Sequence, residues 1–345
     1  MNITAIVPIV RRLGLAAVAS LAVASLGSLT WGPLLIANTR FFRAVPWSAA
    51  AEGIVLFLVW KYLGGSGRPR KTSTARRDLL RARVVPRTEF LWAAVAGGLS
   101  LVALAGLWIV LVRLTGIGGN PTLPYLSGYS PLVVVLAIGM ASLVSPLTEE
   151  AAFRGYGQVL LERRFAPVVA VTVSSLLFAL YHGPTQGFAP SKLAFYFLVG
   201  VVFGAIAFIT RSTLPALPVH ITGDLLFFLV IWPQDASRTM VWSHGADLMF
   251  WVNIAQVLVF GALAVLAFRR LRTAATLSVR IAQSSEHDQP NVLLSSSAEV
   301  AHCQWLGRKD SNLQPSDPES AALPLRHSPT RLKSVLRLRR ESDLF

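Results

Sequence analysis

Three short stretches of the chain place ionisable side chains inside or at the edge of apolar sequence. The first, LVSPLTEEAAFRGYGQ, supplies Glu149, Glu150 and Arg154. Residues four apart on a helix share a face, and an acid N-terminal to a base is the better order, so Glu150 and Arg154 are expected to pair. Each helical residue turns by about 100°, so Glu149 points elsewhere and the two carboxylates are expected to serve different partners. The second stretch, SSLLFALYHGPTQG, ends an apolar run on His182. The third, STLPALPVHITGDLLFFLV, sets His220 and Asp224 four apart on one face, with Ser212 or Thr213 as helix cap and Pro215 in the first turn. Asp224 is followed by LLFFLVIW. A charge near a bilayer centre costs at least about 2.5–3.5 kcal/mol, so such a group normally faces a bundle interior and a partner.

Taken singly, each group has a plain structural reading: a helix leaving the membrane, an interfacial histidine, a His–Asp lock between helices. Taken together they suit two chemistries. A glutamate with a histidine can activate a water while the second histidine pairs with its i+4 carboxylate. Alternatively Glu149, His182, His220 and Asp224 can hold a divalent metal such as zinc, with a position open for water. Either would hydrolyse a carbonyl substrate. No HExxH helix and no GxSxG elbow is present, and Ser142 and Ser145, about one turn before the glutamates, read as helix-packing residues.

The elements that must position these groups are long and apolar. Of 345 residues, 53% are hydrophobic and 14% charged, against about 25% charged in a soluble domain. Eight apolar runs stand out, near 13–37, 48–63, 90–112, 130–148, 167–182, 193–210, 213–232 and 249–268, and a span needs about 20 residues. The expected fold is therefore all-α, a polytopic transmembrane bundle of about eight spans with the site between spans 4, 5 and 7. The second and fifth runs are short. The first is too long for a signal peptide's apolar region and reads as a retained anchor.

Charge sets the orientation. The net charge of +15 falls in segments flanking apolar runs: Arg68, Arg70, Lys71, Arg76, Arg77, Arg81, Arg83 and Arg87, then Arg163 and Arg164, Arg211, and Arg269, Arg270 and Arg272. The positive-inside rule puts these in the cytoplasm, with both termini, and the uncharged 114–129 loop outside. This pattern excludes a nucleic-acid-binding face. With one cysteine, Cys303, neither an intrachain disulfide nor a cysteine-based metal site can form.

Four regions are expected: N-terminal helices with a basic loop at 1–129, a catalytic core at 130–232, a last loop and helix at 233–272, and a disordered basic tail at 273–345. WLGRKDSNLQPSDPESAALPLRHSPT in that tail reads either as read-through of a transfer-RNA gene or as an ordinary flexible tail near anionic lipid.

EEAAFR at 149–154, FALYH at 178–182 and HITGD at 220–224 resemble, in order, the EExxxR, FxxxH and HxxxN/D motifs of the CPBP intramembrane protease family, the CAAX-processing or Abi proteases. The resemblance covers about residues 130–232. It implies an endopeptidase acting on a membrane-associated or prenyl-like substrate in a bacterial cell membrane. It also implies that Glu149 is the base that activates water, that His182 assists it or ligates metal, that His220 and Asp224 stabilise the oxyanion or ligate metal, and that Glu150 and Arg154 support them. Asp224 stands where eukaryotic prenyl-protein proteases of the family have Asn. The alternative is a non-catalytic immunity or scaffolding protein with the same fold; a transporter or proton relay is a third reading. Counting along the runs puts Glu149 and His220 toward the cytoplasmic side and His182 near the outer end. They can meet if GPTQGFAPSK dips inward to line a cavity.

Overall fold

The structure is a computed structural model that describes residues 3–42, 44–118 and 129–287. Most of the uncharged loop, and the tail from 288 with Cys303, lie outside the described residues. The chain divides into residues 1–275 and 276–345. The helices and the site below belong to the first unit; the described part of the second is the end of the last helix.

All regular structure among the described residues is helical: α1 (Ile3–Arg40), α2 (Trp47–Leu63), α3 (Ser73–Leu80), α4 (Arg87–Thr115), α5 (Pro131–Glu149), α6 (Gln158–Glu162), α7 (Pro167–Gln186), α8 (Pro190–Thr210), α9 (Ala216–Leu226), α10 (Val241–His244) and α11 (Leu248–His287). Starts and stops follow local chemistry. Pro131, Pro167 and Pro190 begin their helices, where a missing N–H costs nothing. Ser130 Oγ accepts from the Val133 amide at 3.4 Å. Gly116, at φ 69°, closes α4 in the left-handed region.

Seven helices are long and apolar enough to cross a membrane: Val7–Asn38, Arg87–Thr115, Pro131–Glu162, Pro167–Gln186, Pro190–Thr210, Ala216–Ser237 and Leu248–Ile281. The chain is an integral membrane protein. The remaining apolar run of the eight forms α2, which at 17 residues, about 25 Å at 1.5 Å per residue, is at the short end of what a span needs. The surface carries large apolar side chains such as Leu143, Leu176 and Leu258, while Glu149, Glu150, Arg154 and His220 are buried. That inversion of the soluble pattern is what a lipid surround selects.

Two differences from the expected boundaries matter for the site. The fourth span does not stop near 148. It continues through a π-helix, Glu150–Gly157, and α6 to Glu162. The last helix also runs on to His287, past the change of character at 272, because TAATLSVRIAQ is made mostly of adequate helix formers.

The basic loop is ordered against the bundle. Arg81, left-handed at φ 54°, pairs with Glu162 at 2.7 Å and donates from Nη2 to the Arg154 carbonyl at 2.8 Å. The Thr213 amide donates to the Arg81 carbonyl at 3.2 Å, and Ser212 Oγ donates to the Arg83 carbonyl at 2.6 Å. Ser212 and Thr213 therefore latch the basic loop to the start of α9 and do not cap α9 itself, whose N-cap is Pro215.

Candidate active site

Residues 149 and 150 sit at the junction of α5 and the π-helix. Pro146 inside α5 has no N–H to give. In the widened π-turn, Ser174 Oγ donates to the Phe153 carbonyl at 2.7 Å, and Arg81 takes the carbonyl of Arg154. π-turns inside α-helices are rare and concentrate at functional sites.

All six predicted residues come together. Ser145 Oγ donates to Glu149 Oε1 at 2.5 Å. Glu149 Oε1 lies 3.9 Å from His182 Nε2, and Glu149 Oε2 lies 3.7 Å from His220 Nε2. His220 Nδ1 is 3.0 Å from Glu150 Oε1 and Nε2 is 3.7 Å from Asp224 Oδ1. Glu150 Oε1 also lies 3.4 Å from Arg154 Nη1. Arg154, fully buried, donates from Nη2 to the Gly200 carbonyl at 3.3 Å, and its guanidinium stands 4.2 Å from the Phe178 ring. Stacking on an aromatic face helps hold a desolvated guanidinium.

The two glutamates do not serve separate partners. Both face His220, one at each ring nitrogen. The two side chains do diverge, but an imidazole has nitrogens on two edges and fits between two carboxylates that diverge.

The depth expectation also changes. His182 reaches Glu149 without an inward loop, since GPTQ is the helical end of α7. Glu149 is 13 residues from the end of its span at Glu162, about 20 Å, and His182 is 15 residues from the start of α7, about 22 Å. The apparent mismatch came from ending the fourth span too early.

Hydrogen bonding sets the His182 tautomer. Its Nδ1 is 2.8 Å from the Phe178 carbonyl. A carbonyl only accepts, so Nδ1 carries the proton, and the Nε2 lone pair of the neutral ring faces Glu149. At 3.9 Å the two acceptors are too far apart to bond each other, and a water between them would reach both. Glu150 likewise takes the Nδ1 proton of His220.

A cavity of about 620 Å³ opens onto Glu149, His182, His220 and Asp224. Its other walls are mainly apolar and come from α1, α4, α7, α8 and the end of α9. Tyr196 stacks on His182 with centroids 4.2 Å apart and 18° between planes; Phe203 stacks on His220 at 4.4 Å and 28°. These aromatics went unread in the sequence, and Ser145, expected only to pack between helices, instead bonds Glu149. In an apolar helix they resemble packing residues.

Among the described residues no group of three or more His, Cys, Asp or Glu is arranged to hold an ion. Zinc draws its donors to about 2.0–2.2 Å from one point. Here the neighbouring donor atoms of Glu149, His182, His220 and Asp224 stand 3.7–3.9 Å apart.

Residues 131–226 match the family described as Rce1-like, type II CAAX prenyl endopeptidase. The match supports a CAAX protease core of the CPBP type in this segment. The match spans α5 through α9 and contains all six residues of the cluster. Such a core implies protease activity in a membrane. No curated protein and no solved structure matches the chain significantly.

Proposed function

We propose that the protein is a membrane-embedded endopeptidase that hydrolyses a peptide bond of a membrane-associated, prenyl-like substrate with a water activated by Glu149 and His182. The observation that carries this reading is the position of Glu149, with one oxygen toward each imidazole at the wall of a largely apolar cavity. Water bound between Glu149 Oε1 and His182 Nε2 gives its proton to the carboxylate as its oxygen attacks the substrate carbonyl. His220, in its imidazolium form, presents Nε2–H to the developing oxyanion, and Asp224 and Glu150 keep that ring oriented and charged. Arg154 compensates Glu150 in the interior. Glu149 then delivers the proton to the departing amine. No step passes through a metal.

The catalytic core would occupy 130–232, set on the N-terminal helices and basic loop of 1–129, with 233–272 completing the bundle and the basic tail beyond it. The site would work within a bacterial cell membrane, with the basic loop and both termini in the cytoplasm. The latch between Arg81, Glu162 and Thr213 supports this, since it gathers the loop and two helix ends on one side.

The test is cleavage of a prenylated CAAX peptide by the purified protein in detergent. Wild type should cleave it, and Glu149→Ala, expressed at the same level, should not. A Glu149→Ala protein of full activity would end this reading. Ion flux in proteoliposomes without cleavage would favour a transporter. Comparing protein termini in wild-type and Glu149→Ala cells would identify the natural substrate.

A further inference from the structure

Acceptors dominate the wall of the cavity where the reaction would run. Glu149 and Asp224 are carboxyl groups, and the Nε2 of neutral His182 is a lone pair. A carbonyl oxygen that gains charge there needs donors, and His220, whose Nδ1 faces Glu150, offers only Nε2 to the cavity. Two groups on the cavity wall carry a buried N–H or O–H with no hydrogen-bond partner among the described residues: Tyr196 Oη and Trp232 Nε1. Trp232 packs with Trp108, Phe227 and Phe228. Tyr196 alone of the two stacks on a site imidazole.

An unpaired buried hydroxyl is destabilising, and such groups in folded proteins call for an explanation. The rest of the Tyr196 side chain is fixed: the ring lies nearly parallel to His182 and packs edge-on against Phe195. A rigid ring that lines the cavity, stacks on His182 and carries an unpaired O–H can act as a preorganised donor. We infer that Tyr196 is a further catalytic residue, whose phenol O–H donates to the scissile carbonyl oxygen as it becomes an oxyanion. This rests on the protease reading above. In the step itself, the water oxygen bonds to the carbonyl carbon, the carbonyl π pair moves onto oxygen, and one water proton passes to Glu149. On collapse the C–N bond breaks and the amine takes that proton. Tyr196 keeps its own proton throughout.

Tyr196→Phe keeps the stack on His182 and removes only the hydroxyl. In the full-length protein in detergent, with a prenylated CAAX peptide, its kcat should fall about 10²–10³-fold with KM within about twofold, the size expected for losing one oxyanion donor. A phosphinic peptide, which mimics the tetrahedral anion, should bind the variant at least about 10-fold more weakly, while the matching amide peptide binds both proteins alike. The melting temperature should not drop, because the hydroxyl has no partner to lose. Cleavage that needs Glu149 but is unchanged in Tyr196→Phe overturns this inference alone. A lower melting temperature accompanying the lost activity also overturns it, since the hydroxyl would then be structural. No cleavage by wild type, or full cleavage by Glu149→Gln, overturns it together with the protease reading.

Discussion

Glu150 Oε1 lies 3.0 Å from His220 Nδ1, although the two residues are 70 positions apart and on different helices. The same oxygen is 3.4 Å from Arg154 Nη1. One carboxylate thus neutralises a buried guanidinium and fixes an imidazole. Glu150→Ala leaves Arg154 buried without a counter-charge and should cost about 3–5 kcal/mol. Thermal unfolding in detergent reads this directly, and an unchanged melting temperature would contradict it. Glu150→Gln keeps the shape and should lose activity more than stability.

Ser145 is the donor that orients Glu149, at 2.5 Å from Oε1. A hydrogen bond to a charged group is worth about 1.5–3 kcal/mol. Ser145→Ala should therefore lower kcat by about 10-fold or more, with KM little changed, in the peptide assay. Ser145→Thr should retain most activity, because it keeps a hydroxyl at the same position. Equal activity in all three proteins would remove Ser145 from the site.

Much of the site was legible because its residues violate their surroundings. A glutamate pair, two histidines and an aspartate in apolar sequence are costly, and their i,i+4 spacings already paired Glu150 with Arg154 and His220 with Asp224. The depth of Glu149 was not legible, since EEAAFRGYGQ reads as an exit from the membrane when the helix in fact continues. Tyr196 and Phe203 were invisible, and Ser145 was taken for a packing residue, for the opposite reason: small and aromatic side chains are what apolar helices ordinarily contain. In α8, however, Gly200 and Gly204 form a GxxxG pair, a readable sign of close helix approach.

Those glycines make the third prediction. A Cβ at Gly200 would stand 2.8 Å from Ser175 Cβ and 2.9 Å from Ser175 Cα, so α7 itself would have to move. The same backbone gives its Gly200 carbonyl to Arg154 and its Gly204 carbonyl to Gln158. Gly200→Ala should destabilise the protein by about 1–3 kcal/mol through overpacking. Activity should fall further, because α7 carries His182 and α8 carries Tyr196. Gly98→Ala on α4, where nothing lies within 4 Å, should be harmless in both measurements.

The fourth concerns pH. Asp247, outside the spans, is held below the usual carboxylate range by the hydrogen bond from Arg113 at 2.6 Å, and next by the Phe250 amide. Its folded value lies below the unfolded 3.8. The contribution to stability is thus complete well above pH 3.8 and disappears as the pH falls through the folded value. Asp247→Asn should melt below wild type at pH 6, and the two curves should converge toward pH 3. A constant gap across that range would mean that the charge is not involved.

The π-helix at Glu150–Gly157 has a consequence for how this site could have arisen or could be undone. A π-turn holds one residue more than the α-turn it replaces, so it acts as a phase shifter along a single rod. Removing one residue from 155–157 would restore regular winding. The carboxylates at 149 and 150 would stay in register with α5, while everything from Gln158 to Glu162 would turn by about 100°. Glu162 would swing away from Arg81, and Gln158 from the Gly204 carbonyl. The chemistry and the anchoring of this span are therefore set on two separate clocks, and a single-codon deletion could reset one without touching the other.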